Sequence, residues 1–265
     1  TADYVFDLID ELAGYKVNVL VWEWEDKFAY HSHPEIGAPG AFSPEQMVRF
    51  TEYARRRHMQ RVPRVQGLGH VSYILKHDRR RHLREVPDSN WQFNPLEEGT
   101  YRLLFDLFDE AIEATPGSEF IHIGSDETFE LGKGRSREFA DAHGKDALMQ
   151  VFIRRCVEHC ESRGRRVLSW GGHWREDQRE EDHPPRSMIF TDSGDPEYLQ
   201  KAKEAGYPGW IYAHNPGLVP LVLPLFPVAQ QKYWSANGRS PVVNFPGAFW
   251  QTAGPIGESA RRGVA

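Results

Sequence analysis

Cysteine is scarce in this chain of 265 residues, which has only Cys156 and Cys160. A disulfide-stapled scaffold is thereby excluded, and two thiols four residues apart in a helical pattern read as packing on one helix face. No apolar run approaches the roughly 20 residues that cross a bilayer, and no charged-then-apolar leader opens the chain. The chain reads as soluble, with no membrane partner and only a lean toward the cytoplasm. An excess of one charge is missing too: the net charge is −6, from 32 basic and 38 acidic residues, and no basic face for nucleic acid stands out. The densest basic cluster, Arg79, Arg80, Arg81 and Arg84, reads as a solvated face. Short repeats and low-complexity linkers are absent, and the length suits one large core, so residues 1–265 are expected to form a single domain.

What is present is an alternation. Val5, Leu8, Ile9 and Leu12 recur at helical spacing up to Gly14. The β-branched run "KVNVLVW" follows as a buried strand, and then "FSPEQMVRF", where Ser43, Pro44 and Gln46 spell a capped helix start. The pattern repeats. "MQRVPRVQG", "EFIHIG", "RRVLSW", "SMIFTD", "GWIYA" and "PVVNF" read as strands. "GTYRLLFDLFDEAIEA", with Leu104, Phe105, Phe108 and Ile112 on one face, "ALMQVFIRRCVEHCESRG" and "PEYLQKAKEAG" read as helices. The Pro-rich "NPGLVPLVLPLFP" reads as a loop. Strands alternating with helices imply parallel pairing and an α/β fold. About seven strands are found where a closed (β/α)8 barrel has eight, and because the chain opens on a helix the first strand is expected to lie upstream.

In such a barrel the carboxyl ends of the strands open onto one face, where active sites sit. The groups delivered there are Glu23, Glu25, Asp26, Gln66, His70, Asp126, Glu127, Trp170, His173, Trp174, Asp192, Tyr212, His214 and Trp250. Acids and aromatic rings predominate. Rings offer platforms for the C–H faces of sugars, carboxylates bind hydroxyls, and a pair of carboxyl groups is the usual machinery of glycosidic hydrolysis. The plainer reading is that strand-end acids cap helices or pair with the many arginines.

The segment "IHIGSDE" resembles the His-x-Gly-Gly-Asp-Glu motif of glycoside hydrolase family 20, the β-N-acetylhexosaminidases, with Ser125 at the second glycine. The stretch from "FNPLEEG" into that strand is similar to the family's approach to its catalytic strand. "VPRVQGLGH" resembles its Pro-Gly-His turn, with Leu68 at the proline, and "YKVNVLVWEWED" its second strand. The likeness runs from about residue 4 to residue 135, then thins to the strand-end tryptophan of "LSWGGHW". It implies a TIM-type barrel without cofactor or metal that acts on a small-molecule or oligosaccharide substrate. In this family the substrate's own 2-acetamido oxygen attacks the anomeric carbon with retention. The resemblance implies Glu127 as general acid and Asp126 as the acceptor of the acetamido N–H. It implies Glu25, Asp26, His70, His122, Trp170, Trp174, Tyr212 and Trp250 as substrate contacts.

Alternatives remain open. His70 and His122 could orient Glu127 or be buried and satisfied by backbone. The tryptophans could be barrel-top packing. A carbohydrate-binding relative with weak or no activity fits Ser125 and the thinner second half. A metal-dependent hydrolase could use His31, His33, His70, His122 and Asp126.

Overall fold

Short β-branched runs separated by amphipathic stretches bury both strand faces when a parallel sheet is covered by helices. The computed structural model, which describes residues 1–14, 17–192, 196–213 and 242–245, has this arrangement. Strands β1 (Val19–Glu23), β2 (Gln60–Gly67), β3 (Phe120–Gly124), β4 (Arg166–Trp170), β5 (Ile189–Asp192), β6 (Gly209–Ala213) and β7 (Val242–Phe245) pair in parallel in chain order. Leu20 to Trp22 register against Val243 to Phe245, which closes the barrel. Every strand expected from the sequence is present. Among the described residues the barrel therefore closes with seven strands. The Pro-rich stretch lies outside the described residues.

The helices are α1 (Ala2–Gly14), α2 (Pro44–Arg55), α3 (Ser72–Leu75), α4 (Glu98–Glu113), α5 (Arg137–His143), α6 (Lys145–Ser162) and α7 (Pro196–Glu204). Helices α2, α4, α6 and α7 make crossovers, whereas a loop with one 3-10 turn, Glu180–Asp182, joins β4 to β5. The start of α2 follows its sequence: Ser43 Oγ accepts from the Gln46 N–H at 3.3 Å, and Gln46 Oε1 accepts from the Ser43 N–H at 2.9 Å. On α4 the buried stripe includes Leu104, Phe108, Ala111 and Ile112. Phe105 lies at its rim, with its ring 3.9 Å from that of His159. Cys156 and Cys160 are buried free thiols on α6.

Two apolar layers result. The larger fills the space between strands and helices, with Leu20, Trp22, Val65, Ile121, Ile123 and Val167 facing outward. The smaller lies inside the barrel, where Val19, Val21, Val62, Phe120, Leu168 and Ile189 pack together beneath Trp170. At the exit of β3 the chain turns sharply. Gly124 has φ +64°, and a Cβ there would lie 1.8 Å from Gln66 Oε1. Gln66 is buried and held by Glu23, so it has little room to yield. Gly124→Ala is expected to cost at least about 2 kcal/mol, as left-handed strain plus overpacking. The check is a lowered urea midpoint at unchanged slope.

Candidate active site

Above its apolar layer the barrel interior turns polar. On the inward side of β1 and β2 stand Glu23, Arg64 and Gln66, all buried. Arg64 Nη2 pairs with Glu23 Oε2, and Gln66 Nε2 donates to Glu23 Oε1 at 2.6 Å. The Arg64 guanidinium also lies 5.2 Å above the Trp170 ring. A buried cation of this kind projects charge toward neighbouring acids through a medium of low dielectric.

On β3, His122 is fully buried. Its Nδ1 accepts the Gly124 N–H at 3.0 Å, so the ring proton sits on Nε2, which donates to Thr191 Oγ1 at 3.0 Å. Thr191 passes the chain on to the Ser169 carbonyl at 2.9 Å. This is a correction to the sequence expectation: His122 supports the strand exit and presents no ring nitrogen to a ligand. Ser125 has φ +72°, and its hydroxyl donates to the Ile123 carbonyl at 3.1 Å. Ser169 Oγ donates to the Gly124 carbonyl at 2.7 Å. Glu127, at φ +46°, has a carbonyl that accepts both Trp91 Nε1 at 2.9 Å and the Phe129 N–H at 2.8 Å.

Facing this exit is the turn after β2. Leu68 and His70 have φ of +69° and +58°, and a Cβ on Gly69 would fall 2.4 Å from the Asp126 carbonyl oxygen. Only glycine permits so close an approach. It brings His70 Nε2 to 3.4 Å from Asp126 Oδ2 and 3.2 Å from Glu127 Oε2. The two carboxylates differ in exposure, 30% for the Asp126 side chain and 51% for that of Glu127. Burial alone would push the Asp126 carboxyl up. The neighbouring His70 ring, 3.4 Å away, and the charge of Arg64 outweigh it and hold Asp126 below the usual range. Burial likewise lowers His70, but Asp126, Glu127 and Glu23 raise it further. Asp126 Oδ1 is buried and has no hydrogen-bond donor among the described residues. Beside the pair opens a cavity of about 310 Å³ walled by Ser125, Met149, Gly171, Gly172 and His173. Burial holds the His173 imidazole at about 4, against the opposing charge of Asp126, so it is neutral near pH 7.

Other sequence candidates are distributed differently. Glu25 and Asp26 lie on a 3-10 turn after β1. Asp26 pairs with Lys27 and lies 3.9 Å from Lys76. The Glu25 carboxyl is pushed up to about 7 by burial and by Glu23, and Arg64 only partly offsets this. Trp170 stands at the polar mouth, its ring 5.2 Å from that of His122. Trp174 does not wall the cavity: it is buried in the outer core, 5.9 Å from the Tyr207 ring. Tyr212 lies on β6, and Trp250 and His214 are outside the described residues. The five groups of the metal reading do not converge. His33 bonds Asp106 at 3.0 Å and Arg80 at 2.8 Å, and the His31 N–H binds Glu110. Among the described residues no three His, Cys, Asp or Glu side chains form a group able to hold a metal ion. Sequence reading missed Arg64, Trp91 and Phe129. The polar alternation Arg64-x-Gln66 within an apolar strand was a usable signal for the first, whereas loop residues such as Trp91 carry none.

Comparison with known proteins adds an independent line. Residues 1–216 match the family model of glycosyl hydrolase family 20, catalytic domain. The chain is 31% identical over 134 residues to hexosaminidase D of Bos taurus and of Homo sapiens, spanning 50% of this chain but 39% and 28% of those relatives. Its fold resembles that of a Flavobacterium johnsoniae chitobiase, with TM-score 0.76 and 18% identity over 100% of this chain and 46% of that one. It also resembles a Vibrio harveyi exo-β-N-acetylglucosaminidase in complex with N-acetylglucosamine, with TM-score 0.66 and 18% identity over 80% and 39% of the two chains. Because the matched span runs from α1 through β6 and carries both acids of the β3 exit, the chain belongs to glycosyl hydrolase family 20.

Proposed function

We propose that this chain carries the active site of a retaining exo-β-N-acetylhexosaminidase, within one barrel domain over residues 1–265. The observation that carries this reading is the inequality of the two adjacent acids. Asp126 is held below the usual carboxylate range by His70 and Arg64 against the effect of burial, and it keeps a buried oxygen, Oδ1, without a donor among the described residues. Glu127 stands half exposed beside it. A buried carboxylate oxygen lacking a donor is costly unless a ligand supplies one. An acetamido N–H is a donor of the right kind.

In this reading the substrate's C2 acetamido group enters the cavity beside Asp126, and its N–H bonds Oδ1. That bond steers the amide carbonyl oxygen to the anomeric carbon and stabilises the positive charge the amide acquires. As the C1–O bond breaks, Glu127 gives its proton to the leaving oxygen, and the substrate closes to an oxazolinium ion. The Glu127 carboxylate then takes a proton from water, which attacks C1 and reopens the ring with overall retention. His70 touches both carboxylates and keeps Asp126 charged throughout. A Vibrio harveyi exo-β-N-acetylglucosaminidase and a mutant Streptomyces plicatus β-hexosaminidase of similar fold are complexes with N-acetylglucosamine, which supports the substrate class. Ser125, where the motif has glycine, tucks its hydroxyl against the Ile123 carbonyl and leaves the acid pair undisturbed.

Three outcomes are expected. Glu127→Gln lowers kcat on a β-N-acetylhexosaminide by roughly 10²–10⁴-fold, while the affinity for free N-acetylglucosamine, read by calorimetric titration, stays within about threefold; normal turnover by this variant removes Glu127 from the role. His70→Ala removes the cation that depresses Asp126, so the carboxyl pKa rises and the acid limb of the kcat/KM profile moves to higher pH. A limb that stays in place, or moves to lower pH, contradicts the assignment. The third outcome concerns Glu25. Its carboxyl lies at 4.5 ordinarily and at about 7 here, so the folded chain retains this proton more tightly than the unfolded one. The associated stability is complete below about pH 4.5 and is lost as pH rises through 7. Glu25→Gln should therefore raise the denaturation midpoint at pH 8 relative to pH 5, by a differential of at most about 3 kcal/mol.

A further inference from the structure

Two groups lining the cavity beside the acid pair are buried and lack hydrogen-bond partners among the described residues: Asp126 Oδ1 and His173 Nε2. The acetamido N–H answers the first. It leaves the second unmet, and a buried ring nitrogen without a partner costs free energy unless a ligand supplies one. His173 is 6% exposed, and its backbone is tied down, since its carbonyl accepts from Gln178 Nε2 at 3.4 Å. The charge of Asp126 acts on the ring, so His173 stands within electrostatic reach of the amide site.

The cavity is also larger than an acetyl group requires. Acetyl is one carbonyl and one methyl, whereas about 310 Å³ is the scale of pockets that hold whole small ligands. Its β4 side is open because Gly171 and Gly172 contribute no side chains, and the chain turns at Gly172, with φ +90°, so that the Trp174 ring enters the outer core. Leu131 and Met149 add apolar surface to the lining. In the mechanism proposed above the amide carbonyl points at C1, so the alkyl end of the acyl group points away from C1 and into this space. We propose that the cavity takes an N-acyl group longer than acetyl that carries a hydroxyl, of which N-glycolyl is the smallest, with His173 Nε2 as the partner of that hydroxyl. This rests on the reading of Asp126 as acceptor of the amide N–H. A hydroxyl both donates and accepts, so it satisfies the neutral imidazole in either tautomer. A longer alkyl chain fills the space but leaves the ring nitrogen unpartnered.

The test compares kcat/KM for three 4-nitrophenyl β-hexosaminides that share a leaving group and differ in the acyl group: N-acetyl, N-propionyl and N-glycolyl. The wild-type protein should cleave all three. His173→Phe should lower the ratio of N-glycolyl to N-propionyl about three- to tenfold, the worth of one hydrogen bond, and His173→Gln should retain most of it. Comparing ratios between variants cancels the electronic effect of the hydroxyl on the attacking carbonyl. Met149→Trp, on a half-buried position of α6, fills the same space and should lower both longer substrates against N-acetyl by about tenfold. That variant keeps the test independent of whether His173→Phe folds. Cleavage of the N-acetyl glycoside alone by the wild-type protein, an unchanged N-glycolyl to N-propionyl ratio in folded His173→Phe, or equal rates on all three in Met149→Trp each overturns the acyl pocket and leaves the assignment of the acids standing. A wild-type protein that cleaves none of the three overturns the assignment of Asp126 and the pocket with it.

Discussion

The backbone at the β3 exit is the constraint on which the site depends. Gly124, Ser125 and Glu127 have positive φ, and across from them so do Leu68 and His70. For a residue with a side chain each such conformation costs about 1–2 kcal/mol. It persists only where surrounding structure over-determines it. Here that structure consists of named bonds: His122 accepts the Gly124 N–H, Ser169 donates to the Gly124 carbonyl, and the Glu127 carbonyl takes two donors. Two strained turns face each other with a glycine at the closest approach, and the carboxylates lie in the crease between them.

Electrostatics follow from the same geometry. Arg64 is buried against Glu23, an arrangement that contributes little net stability by itself, since desolvation consumes most of the attraction. Its importance is positional. The same guanidinium lowers both Asp126 and Glu25. The two acids nonetheless end at opposite extremes, because His70 reaches Asp126 while Glu25 has Glu23 as its strongest charged neighbour. One cation within the polar mouth thus serves three carboxylates unequally, and burial decides the remainder.

The barrel was largely legible because buried strands write themselves as short β-branched runs and helices as stripes, and each of the seven runs became a strand. The acid pair was legible because one motif, "HIGSDE", sits on a strand end. Individual side chains were harder. His122 and Trp170 are both inward-facing on their strands, yet His122 has its two ring nitrogens bonded within the barrel and Trp170 reaches the mouth. Two residues along a strand separate structural support from a candidate contact, since His122 registers with Leu168, and a sequence does not state how far up the barrel each residue stands. Trp174 follows a strand end and was expected as a substrate contact or as packing; the chain turns at Gly172, with φ +90°, and the ring enters the outer core. Trp91 comes from a loop 36 residues before its partner Glu127, without periodicity to signal the contact.

Why two like charges should follow a buried strand then has a physical resolution. In an extended strand consecutive side chains point to opposite faces, so Asp126 and Glu127 would diverge and could not share a site. The positive φ of Glu127 departs from that alternation, and both carboxylates reach a single ring nitrogen of His70. A shared imidazole, which the same acids make easier to protonate, offsets the repulsion that adjacency creates. The surroundings then divide the pair: one oxygen of Asp126 is enclosed beside a cavity, while Glu127 stands more open, with the Trp91 indole bonded to its carbonyl. Adjacent residues in the chain thereby stand in different surroundings while sharing one neighbour, and the strain of the β3 exit is what permits it.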